Sequence, residues 1–303
     1  MRPFIYYSPE FAIPSFAFML MMASLVATTV AYKMAPSRGL SQVAVLDLGI
    51  IGTIMAVIGG RLFHIFVEGP IYASPGYSNY YWEHPTHLWQ IWRGGFVSYG
   101  AFLGLGLGWV VYLRWRKLDT WAYLDHVGLF AGPFIDFFTR LGCLMAGCCY
   151  GLKSPFHDHG KYLLYMVFNN RSSDAGYKFP GVPLWPTQIY SMIAAVLIFL
   201  ICYWIERHRK FKGQVMMSFL MLYAFFRFWI EFLRGDMDRG VYFRDTISTA
   251  QIMSILFFVS CAVIYQILKR RSAAAAGAAP APSQAEGKTS LPGSAPRDES
   301  APR

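Results

Sequence analysis

Residues Phe134–Gly151 read FIDFFTRLGCLMAGCCYG. An aromatic, apolar run carries Asp136 and Arg140, and then gives way to Gly142, Cys143, Ala146, Gly147, Cys148, Cys149 and Gly151. The stretch has the composition of the second half of a membrane-spanning helix. A guanidinium stays charged at any accessible pH and is costly in hydrocarbon, so Arg140 marks either a polar cavity or an ion pair. Asp136 stands four residues earlier on the same helix face and can supply that pair. The small residues beyond let a neighbouring backbone, or a slender ligand, come close.

The whole chain supports a membrane setting. Of its 303 residues 55% are hydrophobic and 15% charged, with mean hydropathy +0.35, too apolar for an ordinary soluble domain. Seven segments approach the roughly 20 apolar residues a bilayer requires. They are Ile13–Tyr32, Leu40–Val67, Gly95–Leu113, Trp121–Tyr150, Pro186–Ile205, Gln214–Leu233 and Ile247–Leu268. The expected fold is therefore an all-α integral membrane protein of seven transmembrane helices. Pro3, Pro9 and Glu10 suit a signal peptide poorly, so the first apolar run is expected to be a retained span.

Net charge is +10, which alone would allow nucleic acid as a partner, but its distribution points to a bilayer instead. One set of loops holds Lys33, Arg38, Arg114, Arg116, Lys117, Arg207, Arg209, Lys210, Lys212, Lys269, Arg270 and Arg271 in short segments. The other set spreads fewer basic residues over longer loops interleaved with Asp and Glu. The N-terminus is expected outside and the C-terminus inside. Residues 1–271 then form the membrane domain, with residues 151–185 as a small outer cap and Glu68–Arg93 as an aromatic interfacial loop. Residues 272–303, rich in Ala, Pro and Ser, are expected to be a disordered cytoplasmic tail. Gly100, Gly104 and Gly108 place a strip of glycine on one helix face for close packing.

Ionisable groups fall within or at the edge of spans at Arg61, at Asp136 and Arg140, and at Arg227, Glu231 and Arg234. Four arginines against two carboxylates leave an excess of positive charge. Separate ion pairs, or side chains reaching to the headgroups, account for Arg61 and Arg234 more readily than for Arg140 and Arg227. Buried guanidinium in excess asks for an anion, and in a bilayer the abundant anion is a phospholipid phosphate.

At these residues the chain resembles the prolipoprotein diacylglyceryl transferase family. The resemblance runs from about Phe11 to Leu268. It rests on GGR at Gly59–Arg61, GG…YG at Gly94–Gly100, RLGC…G…G at Arg140–Gly151, PTQIY at Pro186–Tyr190, and RFWIEFLRG at Arg227–Gly235. It implies transfer of the diacylglyceryl group of phosphatidylglycerol to the lipobox cysteine thiol of a prolipoprotein, in a bacterial cytoplasmic (inner) membrane. It implies no metal and no cofactor. By position, Arg140 matches the arginine of the family's RxGN motif and Gly151 its closing glycine, and Arg227 and Glu231 match an RxxxE pair.

The resemblance thus puts Tyr99, Arg227 and Glu231 in catalytic positions. Arg140, Arg61, Cys143, Gly151, Gln188, Tyr190 and Arg234 fall in substrate-binding ones. The departures concern proton transfer. Tyr99 stands where many members have histidine, Cys143 replaces the asparagine of RxGN, and Cys148 replaces a later acidic residue. Phe16 replaces an early tyrosine and Trp185 the histidine before the PSQLY-like motif. A phenol with a pKa near 10 is a poor base at neutral pH. A relative acting on another acceptor or lipid, or a lipid-binding or transport protein that has lost the chemistry, is therefore the alternative. Cys143, Cys148 and Cys149 could pack as small apolar groups, form a disulfide, bind a metal or carry a lipid.

Overall fold

The computed structural model describes residues 2–8, 12–68, 81, 84–88, 97–235, 241–242 and 247–277. Its helices are α1 (Ser15–Met34), α2 (Gln42–Phe63), α3 (Ser98–Trp115), α4 (Thr120–Phe130), α5 (Gly132–Ala146), α6 (Asp174–Lys178), α7 (Thr187–Arg207), α8 (Gln214–Glu231) and α9 (Thr249–Gly277). Three two-stranded antiparallel sheets accompany them: β1 (Phe4–Tyr7) with β2 (Ala12–Pro14), β3 (Met166–Val167) with β4 (Pro183–Leu184), and β5 (Val241–Tyr242) with β6 (Ile247–Ser248). The protein is a helical membrane protein. Among the described residues, five segments are long and apolar enough to cross a bilayer: α1, Gln42–Phe66, Thr120–Ala146, α7 and Ala250–Ala275. Their outward faces carry exposed Leu20, Met21, Ile50, Ile54, Leu200 and Phe257, which water would not favour.

The two other expected spans form α3 and α8, of 18 residues each. Glycines, tyrosine and tryptophan dilute the hydropathy of α3, and Gln214, Arg227 and Glu231 dilute that of α8. The expected fourth span departs from a single helix. It breaks at Ala131 between α4 and α5, and the helical part ends at Ala146 rather than Tyr150. Pro133 explains the break, since it lacks an N–H and its ring crowds the carbonyl four residues back. At the far end Gly147 takes the left-handed conformation (φ 70°) and stops α5.

Small residues set how closely the helices approach. Buried Ala23, Ala27 and Ala31, four apart on α1, form one face of a helix that packs against α5 and α2. The glycine strip of α3 lies against α2. A Cβ on Gly104 would fall 3.0 Å from Gly59 Cα and against the Met55 carbonyl, and one on Gly108 would fall 2.7 Å from Met55 Cγ. Trp109 of α3 donates its indole N–H to the Leu48 carbonyl at 2.8 Å, giving the buried ring its partner.

Charges cluster where the expected inner loops meet. Asp125 of α4 is fully buried and accepts from Gly213 N at 2.7 Å and Met216 N at 2.9 Å, capping α8. His126 donates Nε2–H to the Ala31 carbonyl at 2.8 Å, and its Nδ1 faces Arg38 at 3.4 Å. Arg38 pairs with Glu206, and Lys212 with Asp119. At the other end of the bundle, the 151–185 segment packs on itself. Met166, Phe168, Ala175 and Leu184 bury against Tyr150, with Leu144 and Ile189 from α5 and α7 beneath them.

One boundary moves. Helix α9 continues past Arg271 through the alanine run to Gly277, so the start of the expected tail is helical, as the propensity of alanine favours. The remainder of that tail (278–303), most of the expected Glu68–Arg93 loop, and Arg239 and Arg244 lie outside the described residues.

Candidate active site

Helices α5, α7 and α8 enclose a narrow cleft lined by Asp136, Arg140, Ser191, Tyr223, Phe226 and Arg227 among others. Arg140 sits one turn beyond Asp136, with Nε 3.4 Å from Oδ1 and both side chains about 15% exposed. On α8 the same spacing joins Arg227 Nη1 to Glu231 Oε2 at 2.6 Å. The two arginines thus come from different helices into one space. Arg234 Nη1 lies 3.7 Å from Glu231 Oε2, so one buried carboxylate serves two guanidiniums. Ser248 Oγ donates to Glu231 Oε1 at 3.1 Å and occupies its other oxygen. Three guanidiniums against two carboxylates leave a net positive charge where low dielectric strengthens its field.

The surrounding chain fixes these groups. Gly151 lies where three segments cross. It donates its N–H to the Trp185 carbonyl at 2.9 Å, Leu152 N donates to the Leu233 carbonyl at 2.8 Å, and Gly235 N donates to the Tyr150 carbonyl at 3.0 Å. A Cβ on Gly151 would stand 2.7 Å from the Leu233 carbonyl oxygen, which explains glycine there. Gly151 bridges Arg234 through the backbone and so sets its approach. Gln188 donates Nε2–H to the Cys148 carbonyl at 2.8 Å, and Thr187 Oγ1 donates to the Cys149 carbonyl at 2.7 Å. Tyr190 donates to the Leu163 carbonyl at 2.6 Å. The PTQIY segment therefore holds the cysteine turn and the cap.

Arg61 is bonded to the loop after α2. It donates to the carbonyls of His87 at 2.6 Å and Leu88 at 3.3 Å, and its guanidinium lies over the Tyr81 ring. It thereby anchors the end of the loop after α2. Tyr99 lies in the first turn of α3, and its side chain is outside the described residues. Cys143 is buried in α5, and Cys148 and Cys149 follow Gly147.

The match to the family's model decides the affiliation: prolipoprotein diacylglyceryl transferase matches residues 3–267. This chain belongs to that family. It is 29% identical over 264 residues to phosphatidylglycerol–prolipoprotein diacylglyceryl transferase 2 of Clostridium perfringens, covering 84% of this chain and 91% of the relative. It is 27% identical to the corresponding enzyme of Clostridium tetani, covering 88% and 98%, and 26% identical to that of Oceanobacillus iheyensis, covering 85% and 84%. Within this family member, Arg140 of α5 and Arg227 of α8 line one cleft.

Sequence reading missed Ser248 as a partner of Glu231. Its signal was there: Ser248 and Gln251 form a capping box at the start of α9, with Ser248 N donating to Gln251 Oε1 at 2.9 Å and Gln251 N to Ser248 Oγ at 3.2 Å. Tyr223 and Ser191 of the cleft wall carried no comparable signal.

Proposed function

We propose that this protein transfers the diacylglyceryl group of phosphatidylglycerol to the lipobox cysteine of prolipoproteins. The convergence of Arg140 and Arg227 on one cleft, with Arg234 sharing Glu231, carries the reading. An apolar groove of about 310 Å³ runs alongside it between α5 and α7, lined by Phe137, Ile189, Met192, Ile193, Val196 and Leu197. A headgroup phosphate on the arginines then has its acyl chains on apolar wall. The bilayer is the bacterial cytoplasmic membrane, with the N-terminus and cap outside. Helices α3 and α8 complete seven spans, their 18 residues reaching about 27 Å against a core of about 30 Å.

In the reaction, the acceptor sulfur attacks the glycerol carbon bonded to phosphate. A C–S bond forms, the C–O bond breaks, and glycerol phosphate leaves with the bonding electrons. The thiolate is the nucleophile. Arg140 and Arg227 stabilise charge building on the departing phosphate, and Glu231 orients Arg227 and Arg234. The leaving phosphomonoester has a second pKa of about 6, so it balances the thiol proton as either a dianion with a released proton or a monoanion. Tyr99, standing where many family members have histidine, is assigned to this chemistry by the resemblance, as a tuned base or as a hydrogen-bonding group.

The test is purified protein with a lipobox peptide and either phosphatidylglycerol or phosphatidylethanolamine. A diacylglyceryl mass gain matched by glycerol phosphate release with the first lipid is the expected result. Lipid binding without product, under conditions where a family member carrying the histidine turns over, overturns it.

A further inference from the structure

The end of α5 and the turn after it gather three thiols, Cys143 on the helix and Cys148 and Cys149 beyond it, to which the proposed transfer assigns no chemical step. The Sγ atoms of Cys143, Cys148 and Cys149 all lie within 4.8 Å of one another, and all three cysteines are free. The turn is held from outside by Gln188 and Thr187, which take the carbonyls of Cys148 and Cys149. Cys149 adopts φ 57°, a region that side-chain-bearing residues rarely occupy. Its Sγ accepts from Arg234 Nη2 at 3.4 Å. Small apolar packing requires neither the left-handed backbone nor the convergence of three sulfurs.

We propose that this trio binds a soft, thiophilic metal ion, specifically monovalent copper. The donor set selects it. Hard cations require oxygen ligands, and structural zinc takes four protein ligands. The cluster offers three sulfurs and, among the described residues, no histidine or carboxylate joins them. Thiolates favour copper(I), which accepts three-coordination. At a metal–sulfur distance of about 2.3 Å, sulfurs in a trigonal plane stand about 4 Å apart, a small contraction of the cluster.

Charge agrees. Three thiols release three protons and surround one monovalent ion, leaving a complex of charge −2 with no change of oxidation state. Arg234 donates to Cys149, and Arg140 lies near enough to Cys143 and Cys149 to interact electrostatically with both. Both guanidiniums also face carboxylates, Asp136 and Glu231, so they offset part of the charge of the complex. The proposal shares Arg140 and Arg234 with the proposed phosphate site, and copper retention is read separately from transfer.

The experiment titrates the purified, reduced full-length protein with copper(I) under nitrogen, against a chromogenic copper(I) chelator. One equivalent per chain is expected to be withheld. Cys148→Ser and Cys149→Ser are each expected to weaken binding at least 100-fold, while Cys202→Ser and Cys261→Ser leave it unchanged. X-ray absorption on the loaded wild-type protein is expected to give three sulfur neighbours, and this remains informative where a serine variant fails to fold. Failure of folded protein with titratable thiols to retain copper overturns the proposal. So does retention unaffected by Cys149→Ser, preference for zinc over copper(I), or a disulfide or lipid adduct on the trio in the purified protein.

Discussion

Gly104→Ala tests the helix contact that positions one side of the bundle. The added Cβ would stand 3.0 Å from Gly59 Cα and press on the Met55 carbonyl, so backbone is met on both sides and no rotamer relieves it. Carbon atoms pack at about 3.5–4.0 Å, which requires α2 and α3 to separate by about 0.5–1 Å. A gap of that size forfeits roughly a quarter to a half of each dispersion contact, and overpacking of this kind costs about 1–3 kcal/mol. Alanine also improves helix propensity by about 0.8–1.0 kcal/mol. Gly106→Ala carries the same gain, and its Cβ meets nothing within 4 Å. The difference between the two variants therefore isolates the clash. Melting followed by tryptophan fluorescence in detergent should place Gly104→Ala about 2–12 °C below Gly106→Ala, at roughly 2–4 °C per kcal/mol. Equal melting temperatures would refute the close-packing argument.

Three further outcomes concern the site. Arg227→Lys keeps a charge but loses the planar fork that holds Glu231 and phosphate together, and turnover should fall about 10²-fold at unchanged melting temperature. Gly151→Ala forces apart the crossing that sets Arg234, so transfer should drop at least about tenfold with KM for phosphatidylglycerol raised; unaltered kinetics would show the crossing to be incidental. Tyr99→Phe removes only a hydroxyl, and a loss of about 10²-fold in single-turnover rate is expected. Full activity in that variant would remove Tyr99 from the chemistry.

Much of this was legible in the sequence because hydrocarbon leaves few alternatives. Long apolar runs must be helices, and charged groups inside them must find partners, which led to Arg140 and Arg227. The spacing of four also gave the partners Asp136 and Glu231 and the glycine strip of α3. Other features depended on tertiary contacts that spacing does not encode. The break at Ala131 followed from Pro133, visible but overridden by the length of the apolar run. Asp125 and His126, within the same run, drew no reading from the sequence. Their roles need Gly213, Met216 and Ala31, distant in sequence. Gly151, Gln188 and Tyr190 were expected to meet substrate, and the structure shows them bonded to backbone that shapes the site. Arg61, expected to bind substrate, grips the carbonyls of His87 and Leu88, partners that spacing does not reveal.

The central claim is that Arg140 and Arg227 hold the phosphate that departs. Its most direct test is glycerol phosphate release from phosphatidylglycerol in the presence of lipobox peptide, measured for the wild type, Arg140→Ala, Arg227→Ala and the double variant, each checked for folding by melting. Each single variant should lose about 10²–10³-fold. The double should lose little more, because the two groups act on one phosphate. Wild-type release from folded Arg140→Ala would contradict the account.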